Sequence, residues 1–372
     1  MSEIRKLSKF LKFLEIFGLQ YFGLSKLNLI SPIKFVLLGY KLYFFCYTTS
    51  IVLLMIYFRG PFLKVLKKLS ISENTLGYAI EVVVTILTVG QIFITNLEAF
   101  LTVKGNQNFF KIVNKFDKFL CESFNKRMST KKLEKKLKIR LVLIGSLAVL
   151  LVLAHLTIVK DHGFFGFGTL CLIIVHFLTM CLIWYKICFY IDLICMCLTE
   201  FNEILDQFDI YSHNQSLLLR KIYQCKRSYI YIIKMAQEFN YFMPMTLNLY
   251  ILVGFLWISL RLYYLLQLNF TDVSSYLENF HVILVINVMF MIMSACGQNI
   301  ENLEHKIHQK LNKIDILNKE CQEALQSLCV QVTLSPIDIQ TFSGSKINKV
   351  YLTNILLSIF ANIILLLQFN RS

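Results

Sequence analysis

The chain is short of charge. Only 16% of its 372 residues are Asp, Glu, Lys or Arg, against roughly 25% in an ordinary soluble protein. It has just 4 Pro, 14 Gly and 2 Trp. These shortages exclude a disordered chain and a soluble globular enzyme. Catalytic patterns are missing as well: there is no HExxH, GxSxG, P-loop or CxxC. His305 and His308 stand three apart on a helical pattern, but no nearby Cys or His completes a metal site. No enzymatic activity, metal or cofactor is therefore expected. What is abundant is apolar: 56% of the residues, with 32 Phe and 18 Tyr, and a mean hydropathy of +0.59. That is the balance of a polytopic membrane protein. It carries a net charge of +15, and the placement of that charge sets the topology.

A membrane-crossing helix needs about 20 mostly apolar residues. On that ruler seven spans are expected, near 35–58, 76–98, 139–159, 167–198, 241–267, 280–297 and 347–369. The stretch 167–198 is too long for one crossing, so it overruns the bilayer. Residues 1–34 carry Arg5, Lys6, Lys9 and Lys12 but no clean apolar run or cleavage site. Residues 1–30 are expected to lie at the membrane surface as an amphipathic helix rather than to form a cleaved signal.

Lys and Arg divide unevenly between the two sides of these spans. The N-terminal segment and the loops after spans two, four and six hold 28, and the opposite loops with the tail hold 6. Basic loops stay cytoplasmic. The expected fold is thus an all-α membrane protein of seven transmembrane helices, N-terminus cytoplasmic and C-terminus extracellular. A G-protein-coupled receptor has the opposite sense. None of the 11 Cys falls in an expected extracellular loop, and the sequon Asn269-Phe270-Thr271 does. The basic charge is spread over loops and implies no nucleic-acid partner.

The cytoplasmic parts are also patterned as helices. Phe109, Ile112, Phe116, Phe119 and Leu120 recur at spacings of three and four within 105–138. That face either lies on anionic lipid or packs on extensions of the spans. A second stripe runs through Ile300, Leu303, Ile307, Leu311, Ile314, Cys321, Leu325 and Leu328. It suits a bundle within one chain or an assembly surface between subunits. The organisation is then a segment 1–34, spans one to six over 35–299 with cytoplasmic helices at 105–138 and 200–240, anchor helices over 300–346, and a last span over 347–372.

The last span repays attention. Asn354, Ser358, Ala361, Leu365 and Gln368 follow one another by four, three, four and three, which puts them on one stripe of a helix. The stripe is mostly small or uncharged-polar, while the opposite positions are Ile, Leu and Phe. Such a stripe faces protein or water. It either packs helices together or walls a water-filled pore repeated about a symmetry axis. Leu365 and Gln368 would sit near the outer mouth.

The tail reads Ala361-Asn362, five aliphatic residues, then Gln368-Phe369. It resembles the signature of insect gustatory receptors: Thr-Tyr, five mostly apolar residues and Gln-Phe in the seventh span. The Thr-Tyr pair is Ala-Asn here, so only Gln368 and Phe369 carry over. The lead-in Phe342-Ser343-Gly344-Ser345 blurs the family's glycine-phenylalanine pattern. Length, inverted topology, the basic loop after span two and the cytoplasmic helix before the last span also resemble that family. The resemblance implies a chemosensory receptor acting as a ligand-gated, non-selective cation channel. It implies a tetramer, homomeric or formed with related receptors, in which cytoplasmic helices form the anchor around a central pore lined by the last helix. Gln368 and Phe369 would belong to the gate. It implies the plasma membrane of a sensory neuron. Alternatives are an odorant-receptor-type subunit working with a co-receptor and, less favoured, a secondary transporter.

The same resemblance puts a small-molecule pocket in the outer membrane half, between spans two and six. Aromatic faces with a few polar groups suit such a pocket. The candidates are Tyr78 and Glu81 in span two, His155 in span three and His176 in span four. Span five offers Tyr250, Trp257 and Tyr264, and span six offers Asn287. Thr85, Arg261 and His281 lie among them.

Overall fold

In a computed structural model of the chain, the described residues are 86–87, 90–91, 93–95, 97–99, 101–208, 214–267, 273–314, 318–341 and 344–371. Within them only the backbone is described for 154–173, 175–176, 267, 273–278, 366 and 369–371. Span one and the start of span two, with Tyr78 and Glu81, lie outside the described residues. Seven helices can be named in chain order: α1 (Val103–Phe124), α2 (Lys131–Leu205), α3 (Gln215–Phe242), α4 (Pro244–Gln267), α5 (Val273–Leu311), α6 (Lys319–Leu334) and α7 (Lys349–Arg371). A single isolated bridge, Gln340 to Lys346, is the only β pairing among the described residues.

The 75-residue run of α2 reverses direction. Arg140 and Asp192 are ion-paired at 2.5 Å, yet a straight helix would hold residues 52 apart at about 78 Å. Two antiparallel arms result. The second arm is central: over Phe177–Leu205, 94% of the most apolar stretch is buried inside the protein. Its run from Met180 to Leu198 is buried on nearly every face, Met196 excepted. An all-round apolar helix has no solvent face to present and takes the middle of the bundle. Pro244–Leu266 and Asn279–Leu311 are likewise long and apolar enough to cross a membrane, and Lys349–Leu365 is a shorter apolar helix.

Helix α1 settles the two readings of its apolar face. Phe109, Phe110, Val113, Phe116, Leu120 and Phe124 are buried, and α1 packs chiefly on α3. Phe109 and Phe110 meet Tyr190 ring to ring at 5.1 and 5.9 Å, and Phe109 meets Phe242 at 5.9 Å. The helix stops at Asn125, whose φ of 49° is left-handed, a conformation Asn tolerates. The connection to α2 is held by carboxylates. Asp117 accepts from the Met128 amide and Glu200 from the Ser129 amide, both at 3.1 Å. Lys126 closes the turn on Glu200 and Glu203 at 2.8 and 2.6 Å.

The stripe beyond the sixth span is buried as well: Ile300, Ile307, Leu311, Cys321, Leu325 and Leu328 all join the core. Helix α6 packs on α3 and on α5. Its start is fixed by Asn318, whose side chain accepts from the Glu320 and Cys321 amides at 2.9 and 3.2 Å, satisfying two donors that a helix N-terminus leaves bare. Helices α1, α3 and α6 thus bundle with the ends of α2 and α5.

Candidate functional site: the last helix and its supports

Helix α7 has two unlike faces. Ile355, Ile359 and Ile363 are buried, and α7 packs on α4 and α5. Asn354, Ser358, Ala361, Leu365 and Gln368 are all exposed, with Leu365 at 51%. The stripe singled out by spacing is therefore left uncovered by this chain. Ser358 turns its hydroxyl back to the Asn354 carbonyl at 2.9 Å. Leu357, Phe360 and Ile364 form a neighbouring exposed apolar strip, 63%, 62% and 56% exposed. Of Phe369 only the helical backbone is described.

The base of α7 is tied to α5. Asn348 caps the helix, accepting from the Tyr351 amide at 2.9 Å, and its own amide reaches Glu301 at 3.4 Å. The Lys349 amide donates to Gln298 at 3.4 Å. Between these contacts Gly297 lets the two backbones touch. A Cβ there would stand 1.7 Å from the Ile347 carbonyl oxygen, so no side chain fits. The lead-in is a short hairpin: Ile347 donates to the Ile339 carbonyl at 3.0 Å and Thr341 to Ser345 at 2.9 Å. Gly344, at φ 79°, makes its turn.

A small recess lies beneath this junction, lined by Gly297, Ile300, Glu301, Glu304, Asp338 and Lys346 among others. Glu304 accepts from the Ile337 amide at 2.5 Å and the Tyr229 hydroxyl at 3.1 Å. It lies seven residues past the expected crossing 280–297. Burial pushes its carboxyl up to about 7, against the opposing pull of those two donors. Lys346 pairs with Asp338 at 2.7 Å, and that bond raises the Lys346 pKa.

The expected ligand residues scatter. Tyr250 is buried in the core, its hydroxyl 3.2 Å from the Met289 sulfur and its ring against Phe290 at 5.9 Å. Asn287 donates to the Ile283 carbonyl of its own helix at 2.8 Å. Trp257 lies under the Arg261 guanidinium at 4.9 Å, and Arg261 donates to Asn279 at 3.0 Å. Tyr264 stacks obliquely on Tyr263 at 5.8 Å. Trp257, Tyr263 and Tyr264 share one apolar cluster with Leu367 of α7. That cluster joins the C-terminal half of α4 to the C-terminal end of the last helix. His155 and His176 lie in α2, where only their helical backbone is described.

Several supports were not singled out from spacing. Glu98 is buried and accepts from the Met245 and Thr246 amides, both at 2.8 Å, capping α4 where the chain breaks at Met243. Asp192 takes Lys136 at 3.1 Å and Arg140 at 2.5 Å, and Arg140 also reaches the Cys296 sulfur at 3.0 Å. The signal available for these was a carboxylate inside an apolar run, and for Gly297 a lone glycine within a helix.

No protein-family model and no curated protein matches the chain. Solved structures do. The olfactory receptor OR5 of the insect Machilis hrabei, in complex with eugenol, superposes with a TM-score of 0.71 at 12% identity, covering 98% of this chain and 99% of that one. The same receptor without that ligand named gives 0.70 at 12% identity. The chain has the fold of an insect olfactory receptor. The superposition takes in 98% of the chain, and α7 stands as the last helix of this all-α seven-span fold.

Proposed function

We propose that this chain is a subunit of an insect-type chemosensory receptor that works as a ligand-gated, non-selective cation channel. The observation that carries this is the stripe Asn354, Ser358, Ala361, Leu365 and Gln368, left exposed on a helix whose opposite face is packed. An uncovered small-and-polar stripe in a membrane helix suits a water-filled path better than lipid. Copies of α7 around an axis would wall such a path, with Leu365 and Gln368 at its outer constriction. A tetramer is the assembly we favour, with α1, α3 and α6 in its cytoplasmic anchor and the N-terminus inside. The OR5 structure with eugenol supports a small organic ligand for this fold. The Gln368-Phe369 tail favours a gustatory ligand. The cluster of Trp257, Tyr263, Tyr264 and Leu367 gives an outer-half ligand site a direct route to the last helix.

The test is cation influx into cells expressing the chain alone while small organic compounds are screened. Ligand-dependent influx with single-channel steps supports the proposal. Transport without discrete steps contradicts it. Currents that arise only on co-expression with a second receptor would assign the chain to the odorant-type reading, which the likeness to OR5 keeps in play.

A further inference from the structure

The first turns of α2 carry Lys131, Lys132, Lys135 and Lys138, all exposed. At 3.6 residues per turn, Lys131, Lys135 and Lys138 fall within about 60° of one another around the axis. Val142, Val149 and Leu153 continue that same face, 73%, 60% and 58% exposed. The opposite face, Leu133, Leu137, Ile144, Leu147 and Leu151, is buried. One face of one helix therefore passes, within about a turn, from three cations, with Lys132 beside them, to bare aliphatic side chains. In a membrane protein that boundary is the headgroup layer.

The charge on this face is not spent on folding. Among the described residues, none of the four lysines has an ion pair. The neighbouring cations Lys136 and Arg140 are both held by Asp192, and Lys126 by Glu200 and Glu203. The nearest acid on the helix, Glu134, takes the Thr130 hydroxyl at 2.9 Å. An ammonium group offers three donors on a flexible stem, so four of them can converge on phosphate oxygens. A second set, Lys111, Lys115 and Lys118 on α1, is also exposed. It has no aliphatic continuation, because the apolar face of α1 is buried on α3.

We propose that Lys131, Lys132, Lys135 and Lys138 form a binding site for the phosphorylated headgroup of an anionic phospholipid in the cytoplasmic leaflet, its acyl chains lying along Val142, Val149 and Leu153. Juxtamembrane cations of this kind are worth about a fivefold change in affinity each.

The experiment titrates the purified full chain in detergent with dioctanoyl phosphatidylinositol bisphosphate. Dioctanoyl phosphatidylcholine is the neutral comparison and inositol trisphosphate the headgroup without chains. The triple variant K131Q/K135Q/K138Q is expected to bind roughly 100-fold more weakly. K131R/K135R/K138R is expected to stay within about threefold of the parent, since the charges remain. K111Q/K115Q/K118Q, which removes the same charge elsewhere, is expected to stay within about twofold, because screening confines each cation to its own neighbourhood. The headgroup alone is expected to bind at least about tenfold more weakly, lacking the acyl chains. Should the glutamine variant not fold, parent binding must still weaken as salt rises from about 0.1 to 0.5 M. The proposal is overturned if the α2 variant binds within threefold of the parent, if the α1 variant loses as much, if phosphatidylcholine or the free headgroup binds as tightly, or if salt has no effect.

Discussion

Replacing Gly297 by alanine adds one methyl group where two backbones meet. The new Cβ would stand 1.7 Å from the Ile347 carbonyl oxygen and 2.9 Å from its carbon. An ordinary carbon–oxygen contact is about 3.3 Å, so the α7 lead-in must move by roughly 1.5 Å. It is not free to do so: the Ile347 amide is bonded to Ile339 at 3.0 Å, and the next turn to Gln298 and Asn348 at 3.4 and 2.9 Å. Two effects compete. Alanine favours a helix over glycine by about 1 kcal/mol. Overpacking against a fixed neighbour costs about 1–3 kcal/mol, and more when the neighbour is backbone. The clash wins, with a net loss of about 1–2 kcal/mol. Gly145 in α2 provides the comparison, since nothing lies within 4 Å of a Cβ built there. Thermal unfolding in detergent should therefore place Gly297→Ala below the parent and Gly145→Ala level with it or above. Equal stability of the two variants would refute the close approach of α5 and α7.

Three further outcomes follow from the supports. Asp192→Asn strips the carboxylate from Arg140, which is only 7% exposed, and should cost about 3–5 kcal/mol in denaturant unfolding; a loss below about 1 kcal/mol would mean that the pair is dispensable. Glu98→Ala removes both acceptors at the start of α4 and should cost about 1–2 kcal/mol, with Glu98→Gln losing less because one carbonyl oxygen remains. Glu304 titrates near 7 in the folded protein, above the ordinary carboxylate range near 4, so its neutral form is the one folding favours. Its contribution is full at low pH and is lost as pH rises through about 7. Glu304→Gln should flatten the decline in melting temperature between pH 5 and pH 8, while Asp338, Lys346 and Tyr229, which face it, stay in place.

Much of the architecture could be read from periodicity. The helical patterns at 105–124 and 300–328 are local, and both proved to be buried faces. The α7 stripe was legible because its step of three and four residues is a property of the helix alone. What periodicity could not supply was the partner. The apolar face of α1 suits lipid and protein equally; α3 decides it, about 90 or more residues further along the chain. Arg140 and Asp192 are 52 residues apart, and no local rule pairs them. Glu304 sits among solvated charges on α5 and looks solvated too, until Ile337 and Tyr229 close over it. Of the candidate ligand residues whose side chains are described, Tyr250 meets Met289 and Phe290, Asn287 turns to its own helix, and Trp257 and Tyr264 join the cluster with Leu367; such partners lie on other helices or on the residue's own backbone, and spacing names neither.

The claim that α7 walls an ion path is met most directly by recording single-channel currents from Leu365→Glu and Gln368→Glu beside Leu357→Glu. The first two lie on the exposed polar stripe and the third on the neighbouring apolar strip. The account predicts altered conductance or cation selectivity for Leu365→Glu and Gln368→Glu, with permeation through any Leu357→Glu channels unchanged. Unchanged permeation in both stripe variants would contradict it.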